Sequence, residues 1–198
     1  MPSPTLALLS AFSPLELVGM ASGILAVFLS IQERILAWPV FIFCYGVYVF
    51  ISYQAALPAA MILNAAFIPL SLYGWWKWTR TDLDSRAEIP VRRHGSPARI
   101  VSILLIGTLL LGFLLSRTTT SFLPFLDAFA TLSALLAQYM LGRKYLENWT
   151  IWIISNLAFA ILFGVQGYYP TVVMFCFFIG LAVWGHLQWR PKLQPSAP

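Results

Sequence analysis

Seven long apolar stretches dominate the sequence, and each approaches the roughly 20 residues that a helix needs to cross a bilayer. They lie at about 15–33, 35–53, 56–78, 98–116, 120–141, 149–167 and 169–189. Hydrophobic residues make up 60% of the chain and charged residues 10%, against about 45–50% and about 25% in soluble domains. A soluble core could not bury this surface, so we predict an all-α integral membrane protein and exclude a cytosolic enzyme or a nucleic-acid-binding module.

Basic residues are divided unevenly between the two sides of these spans. On one side lie eleven: Arg34, Lys77, Arg80, Arg86, Arg92, Arg93, Arg99, Arg143, Lys144, Arg190 and Lys192. Arg117 lies on the other. Since Lys and Arg concentrate in cytoplasmic loops, we predict a multi-pass protein of the plasma (inner) membrane with its N-terminus outside and its C-terminus in the cytoplasm. The 79–97 loop is interpreted as a solvated cytoplasmic linker, with contact to anionic lipids as the alternative.

The sequence also contains an internal repeat. A shift of 111 residues places Trp38 on Trp149, Gly74 on Gly185, Trp78 on Trp189 and Glu16 on Asp127. The pattern predicts a 3+1+3 arrangement, with a first three-helix repeat at 1–78, a linker at 79–97, a linker helix at 98–116, and a second repeat with a short cytoplasmic tail at 117–198. Parallel repeats of this kind occur in transporters, with the substrate near the midplane.

Three polar residues of the fifth span share one helical face. They are Asp127, Thr131 and Gln138. A carboxylate inside a span is costly and usually faces the bundle interior or a wet cavity, so Asp127 is the leading functional candidate. The alternatives are a structural hydrogen bond for Asp127 and back-bonding to its own helix for Thr131.

The sixth span carries a second stripe, formed by Trp149, Trp152 and Asn156 at steps of three and four residues. An aromatic ring beside an amide suits a small planar ligand, although Trp149 also lies where an interfacial belt is expected. Tyr45 and Asn64 are further polar groups at membrane depth. Ligand binding or packing between helices could satisfy both.

Other motifs favour structural roles or exclude chemistry. Trp75, Trp76 and Trp78 close the third span, where an aromatic belt is the simpler interpretation. The two cysteines and two histidines have no metal-ligand spacing, and neither a nucleophile elbow nor a glycine-rich phosphate loop occurs. We therefore expect no enzyme activity, catalytic residue, metal or cofactor.

The motifs together resemble those of the PnuC family of vitamin transporters. The resemblance rests on Asp127-Ala-Phe-Ala-Thr131, Ala137-Gln138-Tyr139, Arg143-Lys144, Glu147-Asn148-Trp149-Thr-Ile-Trp152, Tyr73-Gly74-Trp75-Trp76-Lys77-Trp78 and Trp184-Gly185-His-Leu-Gln-Trp189-Arg190. It implies a 3+1+3 fold similar to the SWEET sugar transporters, a homotrimer, and uptake of nicotinamide riboside by facilitated diffusion with trapping by a cytoplasmic kinase. It also implies that Trp149, Trp152 and Asn156 line the vitamin site, beside Gln138, Thr131 and Asp127.

Two other functions stay open at this point. A transporter of the same fold could carry thiamine or riboflavin. A different class would be a non-transporting membrane assembly or sensor subunit, which would need no polar stripe at the midplane.

Overall fold

The computed structural model describes residues 13–85, 90–119 and 121–193. In these residues seven α-helices are long and apolar enough to cross a membrane. They are α1 (Pro14–Ile31), α2 (Ala37–Gln54), α3 (Pro58–Ser85), α4 (Pro97–Thr118), α5 (Pro124–Gly142), α6 (Glu147–Val165) and α7 (Tyr169–Trp189), and a short 3-10 helix follows at Arg190–Lys192. The prediction of an all-α protein with seven transmembrane helices is confirmed.

Two helix ends differ from the predicted spans by more than two residues. Helix α5 begins at Pro124 rather than near residue 120, because proline is pre-organised for the first turn of a helix and fixes the start there. Helix α3 continues to Ser85, past the predicted end at residue 78. Hydropathy marks the apolar part of a helix, so it does not detect a polar extension beyond the membrane.

The chain divides into two compact units, one ending at Trp75 and the other beginning at Trp76. In the N-terminal unit α1 packs on α2, where the Sγ of Cys44 donates a hydrogen bond to the backbone oxygen of Gly19 at 3.4 Å. The buried ring of Trp38 lies so close to Gly74 that a Cβ atom there would overlap it. Gly74 therefore permits the close approach of α3 to α2.

In the C-terminal unit, α4 packs on α5, α5 on α6, and α6 on α7. Gly112 of α4 lies against the ring of Phe125 in α5. The Oγ of Ser155 in α6 donates a hydrogen bond to the backbone oxygen of Ala130 in α5 at 2.8 Å. The outer face of α4 is apolar and exposed, with Leu110 at 70%, as expected for a surface that faces lipid or another copy of the chain.

The turns of the two units match after a shift of 111 residues. Helices end at Ile31 and Gly142, and at Gln54 and Val165, and begin at Pro58 and Tyr169. The left-handed residues match as well: Glu33 (φ 59°) with Lys144 (φ 52°), and Ala56 (φ 54°) with Gly167 (φ 80°). The shift that aligns the tryptophans in the sequence therefore also aligns the backbone of the turns.

Packing contacts follow the same shift. The hydrogen bond from Cys44 to Gly19 corresponds to the bond from Ser155 to Ala130. The contact of Trp38 with Gly74 corresponds to that of Trp149 with Gly185. Each three-helix repeat thus uses the same two helix-helix contacts, while the 3+1+3 arrangement of the whole chain stays a prediction.

The interpretation of residues 79–97 as a solvated linker is only partly correct. Residues 79–85 belong to α3, and residues 90–96, here called the strap, pack on other segments of the C-terminal unit. Val91 is 1% exposed and forms a parallel β-bridge with Leu193, while Arg92 forms one with Tyr145. Val91 is buried against a segment that lies far along the chain, so the local sequence does not reveal its burial.

Trp78 also departs from the predicted aromatic belt. It is 3% exposed, and its Nε1 donates a hydrogen bond to the backbone oxygen of Gly142 at 3.1 Å. The Nζ of Lys144, which is buried, lies 4.8 Å from the centre of the Trp78 ring. Trp76, by contrast, is 51% exposed and fits the belt interpretation.

Candidate functional site

The predicted polar face of α5 begins at Asp127, which lies in the first turn of the helix. The Ser121 hydroxyl donates a hydrogen bond to Oδ2 of Asp127 at 3.2 Å, and Thr131 supplies a second hydroxyl to the same carboxylate. A helix N-terminus also favours a negative charge. Asp127 is therefore a hydrogen-bonded carboxylate at one end of its span, half-buried rather than at the centre of the membrane.

Gln138 lies about three turns further along the same helical face and is 0% exposed. Ser133, on the neighbouring stripe of α5, is also 0% exposed. Buried polar groups are costly in a membrane unless they are hydrogen-bonded. Buried polar side chains therefore occur along α5 as well as at its end.

Trp149 and Trp152 have different surroundings although they share one stripe of α6. Trp149 is 1% exposed, and its ring covers Gly185 and meets the ring of Trp189 edge to face at 5.3 Å. Trp152 is half-buried and packs on an apolar cluster that includes Ile100 of α4. Trp152 is thus the more accessible ring, whereas Trp149 is a packing residue in this structure.

Asn156 lies one turn beyond Trp152 and is 6% exposed. Its Nδ2 donates a hydrogen bond to the backbone oxygen of Trp152 at 2.8 Å. This bond fixes the orientation of the amide and leaves its oxygen outside the bond. An indole face and an amide oxygen therefore lie on one side of α6.

Tyr45 and Asn64 belong to the N-terminal unit. The Tyr45 ring stacks between Phe41, at 5.8 Å, and Phe67, at 4.6 Å. The Nδ2 of Asn64 donates a hydrogen bond to the backbone oxygen of Ala60 at 2.8 Å, the same bond that Asn156 makes in its own helix. Ring stacking accounts for the position of Tyr45, and a hydrogen bond within its own helix accounts for that of Asn64. Contact of either side chain with a ligand stays a prediction.

A comparison with known proteins identifies the family. A family model described as Nicotinamide mononucleotide transporter matches residues 13–191. The chain belongs to this transporter family. It is a multi-pass membrane transporter and not an enzyme, and the resemblance drawn from the motifs is confirmed.

Relatives of this family member have different named substrates. It is similar to the nicotinamide riboside transporter PnuC of Escherichia coli (strain K12), with 23% identity over 201 residues, or 88% of this chain and 84% of that protein. It is also similar to the riboflavin/roseoflavin transporter RibM of Streptomyces davaonensis, with 24% identity over 178 residues, 88% of this chain and 83% of that protein.

A solved structure supports the fold. The crystal structure of the vitamin B3 transporter PnuC superposes with a TM-score of 0.74 and 22% identity, covering 94% of this chain and 86% of that chain. At this identity the likeness establishes the fold alone.

Two buried polar residues of the transporter were missed as site candidates. Asn148 is 0% exposed, and its Oδ1 has no hydrogen-bond partner among the described residues. Ser155 is 0% exposed and joins α6 to α5. The repeat contained a signal for the second, because the 111-residue shift places Cys44 on Ser155.

The described residues contain no group of three or more His, Cys, Asp or Glu side chains that could hold a metal ion. The arrangement offers instead an aromatic ring, amides, hydroxyls and one carboxylate. These groups suit a small, polar, uncharged or cationic aromatic ligand.

Proposed function

We propose that this transporter carries nicotinamide riboside into the cell by facilitated diffusion, and that a cytoplasmic kinase traps the riboside by phosphorylation. The observation that carries the proposal is the pairing of the accessible Trp152 ring with the Asn156 amide on α6, near the buried polar face of α5. The named substrate of the E. coli relative supports the same vitamin.

The chemistry of nicotinamide riboside fits these groups. Its pyridinium ring carries a fixed positive charge, and a cation over a tryptophan face gains about 0.5–2 kcal/mol. The oxygen of Asn156 and the amide of Gln138 suit the carboxamide and ribose hydroxyls. Asp127 can balance the positive charge at the end of the stripe.

The same chemistry disfavours the phosphorylated form. A phosphate requires Arg or Lys donors or a helix N-terminus aimed at it, and no Lys or Arg occurs in the middle of any span. Burial of a phosphate without such a partner is costly enough to outweigh the recognition of the ring. We therefore expect selection of the riboside over the mononucleotide.

The scarcity of acidic residues in the spans supports facilitated diffusion. Proton-coupled carriers use a relay of several titratable groups, and a single carboxylate such as Asp127 does not form one. In proteoliposomes, unmodified riboside should equilibrate and not accumulate when a proton or sodium gradient is imposed. Accumulation under either gradient would show coupling and contradict this part of the proposal.

We also propose the arrangement that this function needs. The two repeats form a 3+1+3, SWEET-like fold, with Met1 outside and the 79–97 segment in the cytoplasm, as the charge distribution favours. The exposed apolar face of α4 supports the trimer that the family resemblance implies. Trp149 would then hold α6 in position through its contacts with α7 rather than contact the vitamin.

Calorimetry on the purified full-length protein tests the substrate. The panel contains nicotinamide riboside, nicotinamide mononucleotide, riboflavin and thiamine. We expect the riboside to bind, the mononucleotide to bind much more weakly, and Trp152→Ala to abolish binding. Trp76→Ala removes an exposed tryptophan away from this stripe and serves as the matched control, which should bind normally.

Riboflavin is the second candidate, because the identity to RibM is as high as that to PnuC of E. coli. Binding of riboflavin in place of the riboside would transfer the proposal to that vitamin. Equal binding of riboside and mononucleotide would refute the argument about phosphate. No binding of any panel member would favour an assembly or sensor subunit.

A further inference from the structure

Four exposed basic residues lie on two distant segments that a backbone bridge joins. Arg92 and Arg93 are exposed in the strap, and Arg190 and Lys192 are exposed in the 3-10 helix after α7. The parallel bridge between Val91 and Leu193 sets these two segments side by side. These four residues are here called the strap cluster.

The strap cluster has little acidic charge within the segments that pack together. Residues 90–96, 143–147 and 190–193 contain one acid, Glu147. Its Oε2 already accepts a hydrogen bond from the backbone N–H of His94 at 3.0 Å. The bridge between the two segments therefore brings three exposed arginines, Arg92, Arg93 and Arg190, onto adjoining parts of the backbone. A bound anion would stabilise this pairing.

The strap cluster lies next to the start of a lipid-facing helix. Helix α4 begins at Pro97, directly after the strap. Within its first two turns Val101 is 62% exposed and Ile103 is 50% exposed. Basic side chains at the end of a lipid-facing helix lie at the depth of the phospholipid headgroups, where anionic lipids attract them.

We propose that the strap cluster binds the phosphate of anionic phospholipid headgroups and that this lipid holds the strap against residues 190–193, which follow α7. Arginine is suited to this role because its guanidinium group binds phosphate through two parallel hydrogen bonds. The strap also pins the turn between α5 and α6, through hydrogen bonds from Arg92 N to Lys144 O at 3.0 Å and from Leu146 N to Arg92 O at 2.9 Å. Lipid binding would therefore stabilise that turn.

Thermal unfolding in mixed micelles tests the proposal. Full-length protein is titrated with phosphatidylglycerol, and phosphatidylcholine is the neutral reference. Phosphatidylglycerol should raise the unfolding midpoint, and phosphatidylcholine should not. Arg92→Gln or Arg93→Gln should each raise the half-effective phosphatidylglycerol fraction about fivefold, since one cation near an anionic surface contributes about 1 kcal/mol.

Two variants separate the cluster from general charge effects. Arg93→Lys keeps the charge and should retain most of the response. Arg117→Gln removes another exposed cation, at the other end of α4, and should leave the response unchanged.

Three results would overturn the proposal. The first is an unchanged phosphatidylglycerol response in both Arg92→Gln and Arg93→Gln. The second is an equal loss in Arg117→Gln, which would indicate net charge alone. The third is equal stabilisation by inorganic phosphate at the same concentration, which would assign the cluster to a soluble anion.

Discussion

Gly185→Ala should destabilise the protein through a single contact in the C-terminal unit. A Cβ atom at position 185 would lie 2.7 Å from three atoms of the Trp149 ring. Ordinary contact begins at 3.4 Å, so the ring would have to retreat by roughly 0.7 Å. Trp149 is 1% exposed and its ring already meets Trp189, so it has little room to move.

Overpacking of this kind typically costs about 1–3 kcal/mol. For a chain of this size, that corresponds to a decrease in the unfolding midpoint of about 2–12 °C. The assay is thermal unfolding of purified protein in one detergent, followed by intrinsic fluorescence.

Gly180→Ala provides a matched control on the same helix. A Cβ atom there has no neighbour within 4 Å, and alanine is favoured over glycine inside a helix by about 1 kcal/mol. The midpoint of this variant should stay level or rise. Trp149→Phe should relieve part of the Gly185→Ala effect in the double variant, because the two residues are in contact.

Equal midpoints for Gly185→Ala and Gly180→Ala would refute the reasoning. So would additive effects of Gly185→Ala and Trp149→Phe, since additivity would mean that the two side chains do not meet.

Two further outcomes test the repeat and the topology. Ser155→Ala should lower the free energy of unfolding by about 0.5–1.5 kcal/mol, because a buried hydrogen bond is lost. Cys44→Ser keeps a donor at the matching position and should leave the unfolding midpoint near that of the wild type. Equal losses in the two variants would contradict this expectation. Ser85→Cys, in a chain lacking Cys176, should resist an impermeant thiol reagent in intact cells and react after lysis, and labelling without lysis would reverse the proposed orientation.

The apolar spans could be predicted from the sequence because the bilayer imposes one simple requirement on length and composition. Helix α7 was predicted with its observed ends, since polar residues border the apolar stretch on both sides. The end of α3 could not be predicted from hydropathy, because residues 79–85 are mostly polar and follow the apolar stretch.

The candidate site could be predicted as a set of residues but not as a set of neighbours. Spacing placed Trp149 and Trp152 on one stripe, but only the structure shows that Trp149 is buried against Gly185 while Trp152 is half-buried. The burial of Val91 likewise depends on Leu193, about a hundred residues away. Periodicity describes one helix, whereas these contacts join two segments.

The left-handed residues give the turns of the two halves the same local backbone conformation at matching positions. At one position the second half has Gly167, which adopts a positive φ freely, while the first half has Ala56, for which the left-handed conformation costs roughly 1–2 kcal/mol. One backbone geometry has thus been kept with two different residues. At matched positions the two halves therefore show which different residues one backbone conformation accepts. A residue found in one half is a reasonable substitution to test at the matching position of the other.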